Sequence, residues 1–220
     1  AKYVKNIFVE KPIAHTLSEA ISLWNLCQEN KLNIQVGFIE RYNPAIQQLK
    51  KVLGQSRKIV SIDFSRTNKI SSRITDVDVI IDLMIHDIDL ALHLNGPVQT
   101  VAAHGFSEDK MVDYASTALT HCNGSFSRIQ ASRITEKKTR SIQATCVDMY
   151  VDCDLLRKEI IINRQTETHQ QRNGPYVISS LEETVEIRPQ EALLTELNEF
   201  ILSCLGKEID KPNALDALEA

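Results

Sequence analysis

The first forty residues switch between two hydrophobic patterns. Asn6 to Val9 is a short apolar run, typical of a buried strand. Thr16 and Glu19 then form a capping box that predicts a helix to about residue 31, followed by a second strand from Asn33 to Phe38. The apolar face of this helix consists of Leu17, Ala20, Ile21, Trp24 and Cys27. Strand, helix and strand in this order predict a parallel βαβ unit, the building block of a doubly wound sheet.

A second helix follows, and after it the pattern changes. Asn43 and Pro44 supply an N-cap and a first-turn proline, and Gly54 ends the helix. From Lys58 to Thr67 apolar and polar residues alternate, as in a strand with one buried face. We therefore expect a domain boundary near Phe38 to Asn43.

The rest of the chain reads mainly as an antiparallel sheet. After a helix over Asp78 to Leu94, the strand-like runs are Val98 to Phe106, Tyr114 to His121, Phe126 to Ile134, Ser141 to Val151 and Leu156 to Ile162. Asn123-Gly124 indicates a hairpin between two of them. The polar stretch Arg164 to Gly174 predicts a surface loop, Glu191 to Leu205 a returning helix, and Asn213 the start of another helix.

The helix at Asp78 to Leu94 is apolar nearly all round, which predicts burial. Its Asp82, His86, Asp89 and His93 follow helical spacing and line up on one stripe, which we take to be its only polar face. The stripe is either an ordinary solvated face or a functional one. Asp and His are poorer helix formers than the Glu, Lys and Arg that usually fill solvated faces, which favours function. Asp82 lies one turn from His86, where its carboxylate could orient the imidazole.

A second polar feature is Glu10-Lys11-Pro12, directly after the first strand. Ligands of open α/β sheets bind beyond the carboxyl ends of the strands. Pro12 keeps Lys11 out of helical geometry and could fix the direction of its ammonium group. Taken alone, the tripeptide is equally explained as a polar strand terminus.

Composition narrows the class of protein. The net charge is -4 with no basic cluster, so neither nucleic acid nor a membrane surface is an expected partner. The five cysteines form no C-x-x-C pair, which fits a reducing cytoplasm and argues against disulfides and zinc. The apolar run from Val79 to Ile85 is too short to span a bilayer. The chain starts with Ala1 rather than Met, so we expect a fragment of a longer protein.

Three motifs occur here in a fixed order. They are Glu10-Lys11-Pro12 after a strand, Gly-x-x-x-Arg-Tyr-Asn-Pro at Gly37 to Pro44, and Asp-x-x-x-His-x-x-Asp at Asp82 to Asp89. The combination resembles the Gfo/Idh/MocA oxidoreductases, the glucose-fructose oxidoreductase and inositol dehydrogenase family. Within it, "GFIERYNPA" and "IDLMIHDIDLALHL" are most similar to nucleotide-sugar dehydrogenases of the UDP-N-acetylglucosamine 3-dehydrogenase type.

The resemblance implies an α+β chain in two parts. Residues 1–40 would be the last βαβ part of a truncated Rossmann domain, and residues 41–220 a substrate-binding and oligomerisation domain with an open, mostly antiparallel sheet and packed helices. The cofactor would be NAD or NADP, held in part by Glu10, Lys11 and Pro12. Self-association into a homodimer or homotetramer would use the open sheet.

Two features depart from the family. The seven glycines form no G-x-G, so the phosphate-binding fingerprint, and on the order of 100 residues of the cofactor domain, lie outside this chain. Asp78 stands where the family often has glycine, which would change the helix entry or add charge near the site.

In the intact protein, the resemblance implies oxidation of a hydroxyl of a sugar or nucleotide sugar, such as UDP-N-acetylglucosamine at C3, to a keto sugar. Lys11, Asp82 and His86 would be catalytic, with either His86 or Lys11 as the base. Arg41, Asn43, Arg66 and Asp89 are candidate substrate ligands, although capping and surface roles explain them equally well.

Two other functions remain open at this point. One is a non-catalytic module that binds sugars or mediates oligomerisation without the cofactor domain, which the missing glycine fingerprint favours. The other is a metal-dependent hydrolase using Asp82, His86 and Asp89, although three ligands on one helix stripe make a poor cage. We therefore expect no metal site.

Overall fold

The amino-terminal unit is a two-stranded parallel sheet joined by one helix. The structure, a computed structural model, describes residues 4–69, 77–108, 110–170 and 176–220. Strands β1 (Asn6–Glu10) and β2 (Asn33–Gly37) pair in parallel, and α1 (Leu17–Asn30) connects them. Both hydrogen bonds of the capping box between Thr16 and Glu19 are present. The predicted βαβ unit is confirmed.

The connection out of this unit is a single turn of 3₁₀-helix, η1 (Ile39–Tyr42), followed by α2 (Pro44–Leu53). The side chain of Asn43 accepts a hydrogen bond from the backbone N–H of Ala45 at 3.1 Å, and Pro44 occupies the first turn. The N-cap predicted for this helix is therefore confirmed.

An eight-stranded sheet dominates the remainder. Its strands are β3 (Ile59–Thr67), β4 (Val98–Phe106), β5 (Tyr114–His121), β6 (Phe126–Ser132), β7 (Thr139–Cys146), β8 (Tyr150–Asp154), β9 (Glu159–Gln170) and β10 (Tyr176–Val185). Their order is β10-β9-β8-β7-β3-β6-β5-β4, and only the β3–β6 pair is parallel. The predicted α+β class with an open, mostly antiparallel sheet is confirmed.

Two strand boundaries differ from the sequence predictions. The run Ser141 to Val151 is two strands, since the chain turns back between β7 and β8. The predicted loop at Arg164 to Gly174 is wrong as far as Gln170, because this part continues β9 and pairs with β10. Residues 171–174 of that prediction lie outside the described part. Residues 164–170 are all polar, so the sequence holds no hydrophobic alternation there that would indicate a strand.

The helix predicted over Asp78 to Leu94 begins with an irregular turn. Residues Ile80–Met84 form a π-helical turn, and the regular helix α3 runs over Ile85–Asn95. The carboxylate of Asp78 accepts hydrogen bonds from the N–H groups of Ile80 and Ile81, both at 3.0 Å. Asp78 thus caps this turn with its side chain.

The two carboxy-terminal helices return to the amino-terminal unit. Helix α4 (Ala192–Cys204) contacts β2 and η1, and α5 (Ala214–Glu219) packs on α1. Ile85 of α3 joins the small core of this unit, whose other buried members are Cys27, Ile34, Val36, Phe38 and Ala214. The start of α3 is therefore packed against the βαβ unit that carries Lys11. No helix within the described ranges is both long and apolar enough to cross a membrane.

Candidate active site

Lys11 reaches from the end of β1 to the π-helical turn before α3. Its Nζ donates to the main-chain oxygen of Asp82 at 2.8 Å and to that of Ile81 at 3.3 Å. The peptide bond between Lys11 and Pro12 is cis. Burial lowers the pKa of Lys11 and nearby Arg66 lowers it further, whereas Asp82 and Glu10 act in the opposite direction. Lys11 is thus a partly desolvated amine with two fixed acceptors.

His86, one turn further along, faces the same place. Burial lowers its pKa to about 3, and the charges of Arg66 and Lys11 add to the effect. Its buried Nδ1 has no hydrogen-bond partner among the described residues. The imidazole is therefore neutral near pH 7 and holds an unused polar atom beside Lys11.

Beneath His86 lies a buried cluster of charges. The guanidinium of Arg66 on β3 donates two hydrogen bonds to Asp87, both at 2.8 Å, and one to Glu40 at 2.9 Å. The side chain of Arg66 is 3% exposed. Arg140 of β7 approaches Glu40 at 3.7 Å, so two arginines face two carboxylates. This cluster joins β3, η1, α3 and β7.

A second cluster lies further along α3. Arg41 of η1 forms a bidentate pair with Asp89, with distances from 2.6 to 3.0 Å, and donates to Asp216 of α5 at 3.1 Å. Burial raises the pKa of Asp89 to about 6, against the lowering by Arg41. At the far end, Nε2 of His93 lies 3.1 Å from Nζ of Lys50. These pairs tie α3 to α2, η1 and α5.

The structure brings Lys11, Asp82 and His86 together, but with different contacts from those predicted. No hydrogen bond joins the side chains of Asp82 and His86 in the described part of the chain, and the contact of Asp82 to Lys11 uses its main chain. The catalytic roles of all three stay predictions. So do the cofactor-binding roles of Glu10, which is exposed, and Pro12, which is half-buried.

The candidate substrate ligands are all engaged with protein groups. Arg41 and Asp89 bind each other, and Arg66 binds two carboxylates. Asn43 caps α2 and donates to Glu40 at 3.1 Å. Their substrate-binding roles also stay predictions, and protein-internal contacts account for each side chain as it stands.

Sequence reasoning missed Asp87 and Glu40. The expectation that α3 has a single polar face is wrong, because Asp87 lies off the stripe and is buried. A signal was present, since an aspartate on an apolar, buried helix face requires a cation, and Arg66 ends the adjacent strand. Among the described residues, no group of three or more His, Cys, Asp or Glu side chains is arranged to hold a metal ion.

Comparisons with known proteins agree with this architecture. The GFO/IDH/MocA C-terminal domain matches residues 53–149. UDP-N-acetylglucosamine 3-dehydrogenase from Acidithiobacillus ferrooxidans is 32% identical over 197 residues, which are 88% of this chain and 60% of that protein. The scyllo-inositol 2-dehydrogenase (NAD(+)) of Bacillus subtilis is 30% identical over 148 residues, 59% of this chain and 42% of the relative.

A solved structure is also similar. UDP-N-acetylglucosamine 3-dehydrogenase from A. ferrooxidans superposes with a TM-score of 0.84 at 28% identity, covering 96% of this chain and 66% of that one. The chain thus spans about 60% of the length of its curated relative. Residues 53–149 match the GFO/IDH/MocA C-terminal domain, and the fold of the chain superposes on that of the similar dehydrogenase.

Proposed function

We propose that the intact protein is an NAD(P)-dependent dehydrogenase that oxidises a secondary hydroxyl of a sugar or nucleotide sugar. The observation that carries this proposal is the meeting of Lys11 and His86 at the end of β1. An amine with a lowered pKa and a neutral imidazole with an unused nitrogen suit removal of a proton from a hydroxyl. The names of the similar dehydrogenases support the same reaction class.

The residues present fit the nicotinamide end of such a cofactor. Glu10, Lys11 and Pro12 follow the carboxyl end of a parallel strand, where open α/β sheets bind their ligands. These residues and the unpartnered Nδ1 of His86 would line the place where the ring and the reacting carbon meet. The bound cofactor would accept a hydride from that carbon.

Lys11 is the better candidate for the base. Its two contacts to Ile81 and Asp82 match the two N–H bonds of a neutral amine and leave the lone pair free to take the hydroxyl proton. Desolvation increases the neutral fraction of this amine. His86, with a pKa near 3, is a poor proton acceptor, and we assign it to orienting the hydroxyl through a hydrogen bond.

UDP-N-acetylglucosamine, oxidised at C3, is the first substrate to test, because the relative with that name aligns over 88% of this chain. Self-association through the open face of the large sheet is part of the same proposal. That face exposes Val60, Phe126 and Tyr150 between polar residues.

The test of the base uses full-length protein with UDP-sugars and NAD or NADP, following the absorbance of the reduced cofactor. Lys11→Arg keeps the positive charge and the donors but cannot lose its proton near neutral pH. We expect kcat to fall about 100-fold or more. Added small primary amines should restore part of the activity of Lys11→Ala.

Lys211 provides a matched control. It is also a half-buried lysine whose Nζ donates to a main-chain oxygen, that of Ile34 at 2.7 Å. Lys211→Arg should leave kcat within about twofold of the wild type. Activity of Lys11→Arg close to wild type would exclude Lys11 as the base. Absence of any sugar oxidation in the wild-type protein would reject the dehydrogenase itself and favour the non-catalytic sugar-binding module.

A further inference from the structure

Arg66 binds two protein carboxylates in the interior. Neither a surface arginine nor a substrate ligand would need these contacts. Its three nitrogens donate to Asp87 and Glu40 at 2.8 to 2.9 Å, and its side chain is almost completely buried. Buried ion pairs of this kind are weak evidence for stability, since apolar groups of similar volume often replace them at no loss. Their retention is better explained by a requirement for position or charge.

The contacts of Arg66 determine where His86 lies. Asp87 is the next residue in the chain, so its bidentate pair with Arg66 fixes the first turn of α3 relative to β3. Glu40 ties the same guanidinium to η1, the segment that follows β2. The imidazole is thereby held against the amino-terminal unit that carries Lys11.

Arg66 also dominates the charge around the imidazole. The groups that face His86 are Arg66 from β3, Lys11 from the end of β1, Glu40 from η1 and Arg140 from β7. Asp87 lies on the same helix and is paired with Arg66. The positive charges of Arg66, Lys11 and Arg140 oppose protonation of the ring, the negative charge of Glu40 favours it, and Arg66 is the strongest of these charges.

We propose that Arg66 is a positioning residue of the active site that, held by Asp87 and Glu40, fixes His86 beside Lys11 and presents a buried positive charge to its imidazole. It acts through other residues and does not contact the substrate. The inference rests on the proposed function for its catalytic meaning, but its physical content concerns only the protonation and placement of one histidine.

The test is a proton NMR titration of the histidine rings in the full chain, with the His86 signal assigned from a His86→Gln variant. In the wild type, His86 should remain neutral throughout the acid range in which the protein is folded. Arg66→Met removes the charge, and the titration midpoint of His86 should rise by about one to three pH units. Arg66→Lys retains the charge and should keep most of the wild-type behaviour.

A second variant keeps the test valid if Arg66→Met fails to fold. In Arg66→Met/Asp87→Leu both partners of the bidentate pair become apolar, while Glu40 retains Asn43 and Arg140. The midpoint should rise in this variant too, but by less than in Arg66→Met, because the opposing charge of Asp87 is removed together with that of Arg66. Arg128→Met is the matched control, because Arg128 also pairs with an aspartate, Asp63, but on the exposed face of the sheet. It should leave the titration of His86 unchanged.

If His86 stays neutral over the same acid range as in the wild type in both Arg66→Met and the double variant, the proposal is overturned. In the full-length enzyme, the same variants should shift the pH profile of kcat with little change in KM, whereas a substrate ligand would raise KM. A shifted titration in a protein that oxidises no sugar would leave this inference standing and reject the proposed function alone.

Discussion

Two histidines near opposite ends of α3, His86 on the helix and His121 on β5, have opposite environments. Both ring nitrogens of His121 are bonded, Nδ1 to the main-chain oxygen of Gly96 at 2.7 Å and Nε2 to the hydroxyl of Ser127 at 2.8 Å. At the other end, Nδ1 of His86 is buried without a partner in the described part of the chain. One ring completes a network, and the other leaves a polar atom available.

The difference separates a structural histidine from a functional candidate. His121 links the end of α3 to the hairpin between β5 and β6, where Asn95 and Ser125 extend the network with a bond of 2.7 Å. A complete network of this kind fixes a unique packing. An unpaired buried atom costs stability, and proteins usually retain such a cost for function.

The largest expected effect is the loss of turnover when His86, but not His121, is replaced by glutamine in the full-length protein. His86→Gln should lower kcat about 100-fold or more, because the group that orients the hydroxyl is changed, with little loss of stability. His121→Gln should leave kcat within a few fold. Turnover under saturating sugar and cofactor measures both variants. Greater loss of activity in His121→Gln than in His86→Gln would reverse the assignment.

Glu196 extends the comparison, because its carboxylate is a second buried group without a hydrogen-bond partner among the described residues. Its carboxylate is fully buried on α4, and neither oxygen has a partner in the described residues. Burial, and to a lesser extent Glu10, raises the pKa of Glu196 to about 7. The folded protein therefore keeps a proton that the unfolded chain releases near pH 4, so stability should fall as pH rises from about 4 to 7 and then level off.

Glu196→Gln mimics the protonated acid and should remove this pH dependence. At pH 8 the variant should be more stable than the wild type by up to about 3 kcal/mol, with little difference at pH 4.5. Urea unfolding at the two pH values measures this. The exposed Glu191, just before the same helix, is the control, and Glu191→Gln should change stability by no more than a few tenths of a kcal/mol. Equal stability of wild type and Glu196→Gln at pH 8 would contradict the expectation.

The smallest of the three effects is the loss of stability when His121, whose ring nitrogens are both hydrogen-bonded, is replaced by alanine. His121→Ala leaves the oxygen of Gly96 and the hydroxyl of Ser127 without their ring partner, which should cost about 2 kcal/mol in free energy of unfolding. His104→Ala, on the exposed edge strand β4, should cost only a few tenths. Urea unfolding at pH 8 checks both. A loss for His121→Ala no larger than that for His104→Ala would mean that the network contributes no stability.

Local signals in the sequence predicted the elements well. The capping box at Thr16, the N-cap at Asn43 and the Asn123-Gly124 turn act over three or four residues, so their physics is complete within the printed sequence. Strand β9 is harder to predict, because its polar residues resemble a loop until the pairing with β10 is known. Residues 164–170 include no apolar residue, so the alternation that identifies a strand with one buried face is absent there.

The candidate site could be predicted only as a set of residues. The motifs brought Lys11, Asp82 and His86 into one hypothesis, and the structure places them together. The sequence indicates that Asp87 requires a cation but does not identify which one, because Asp87 and Glu40 meet Arg66 across separations of 21 and 26 residues. Such pairings depend on how the elements pack, which helical spacing alone does not contain.

The contact between Lys11 and the start of α3 depends on the number of residues in the π-helical turn at Ile80–Met84. Each residue of a regular helix advances the backbone by about 100° around the axis. Deleting one residue inside the turn would leave α3 bound to Arg66 through Asp87. The backbone before α3 would rotate by roughly that angle, away from Lys11. The contacts to Lys11 come from main-chain oxygens of this turn, so they depend on its residue count.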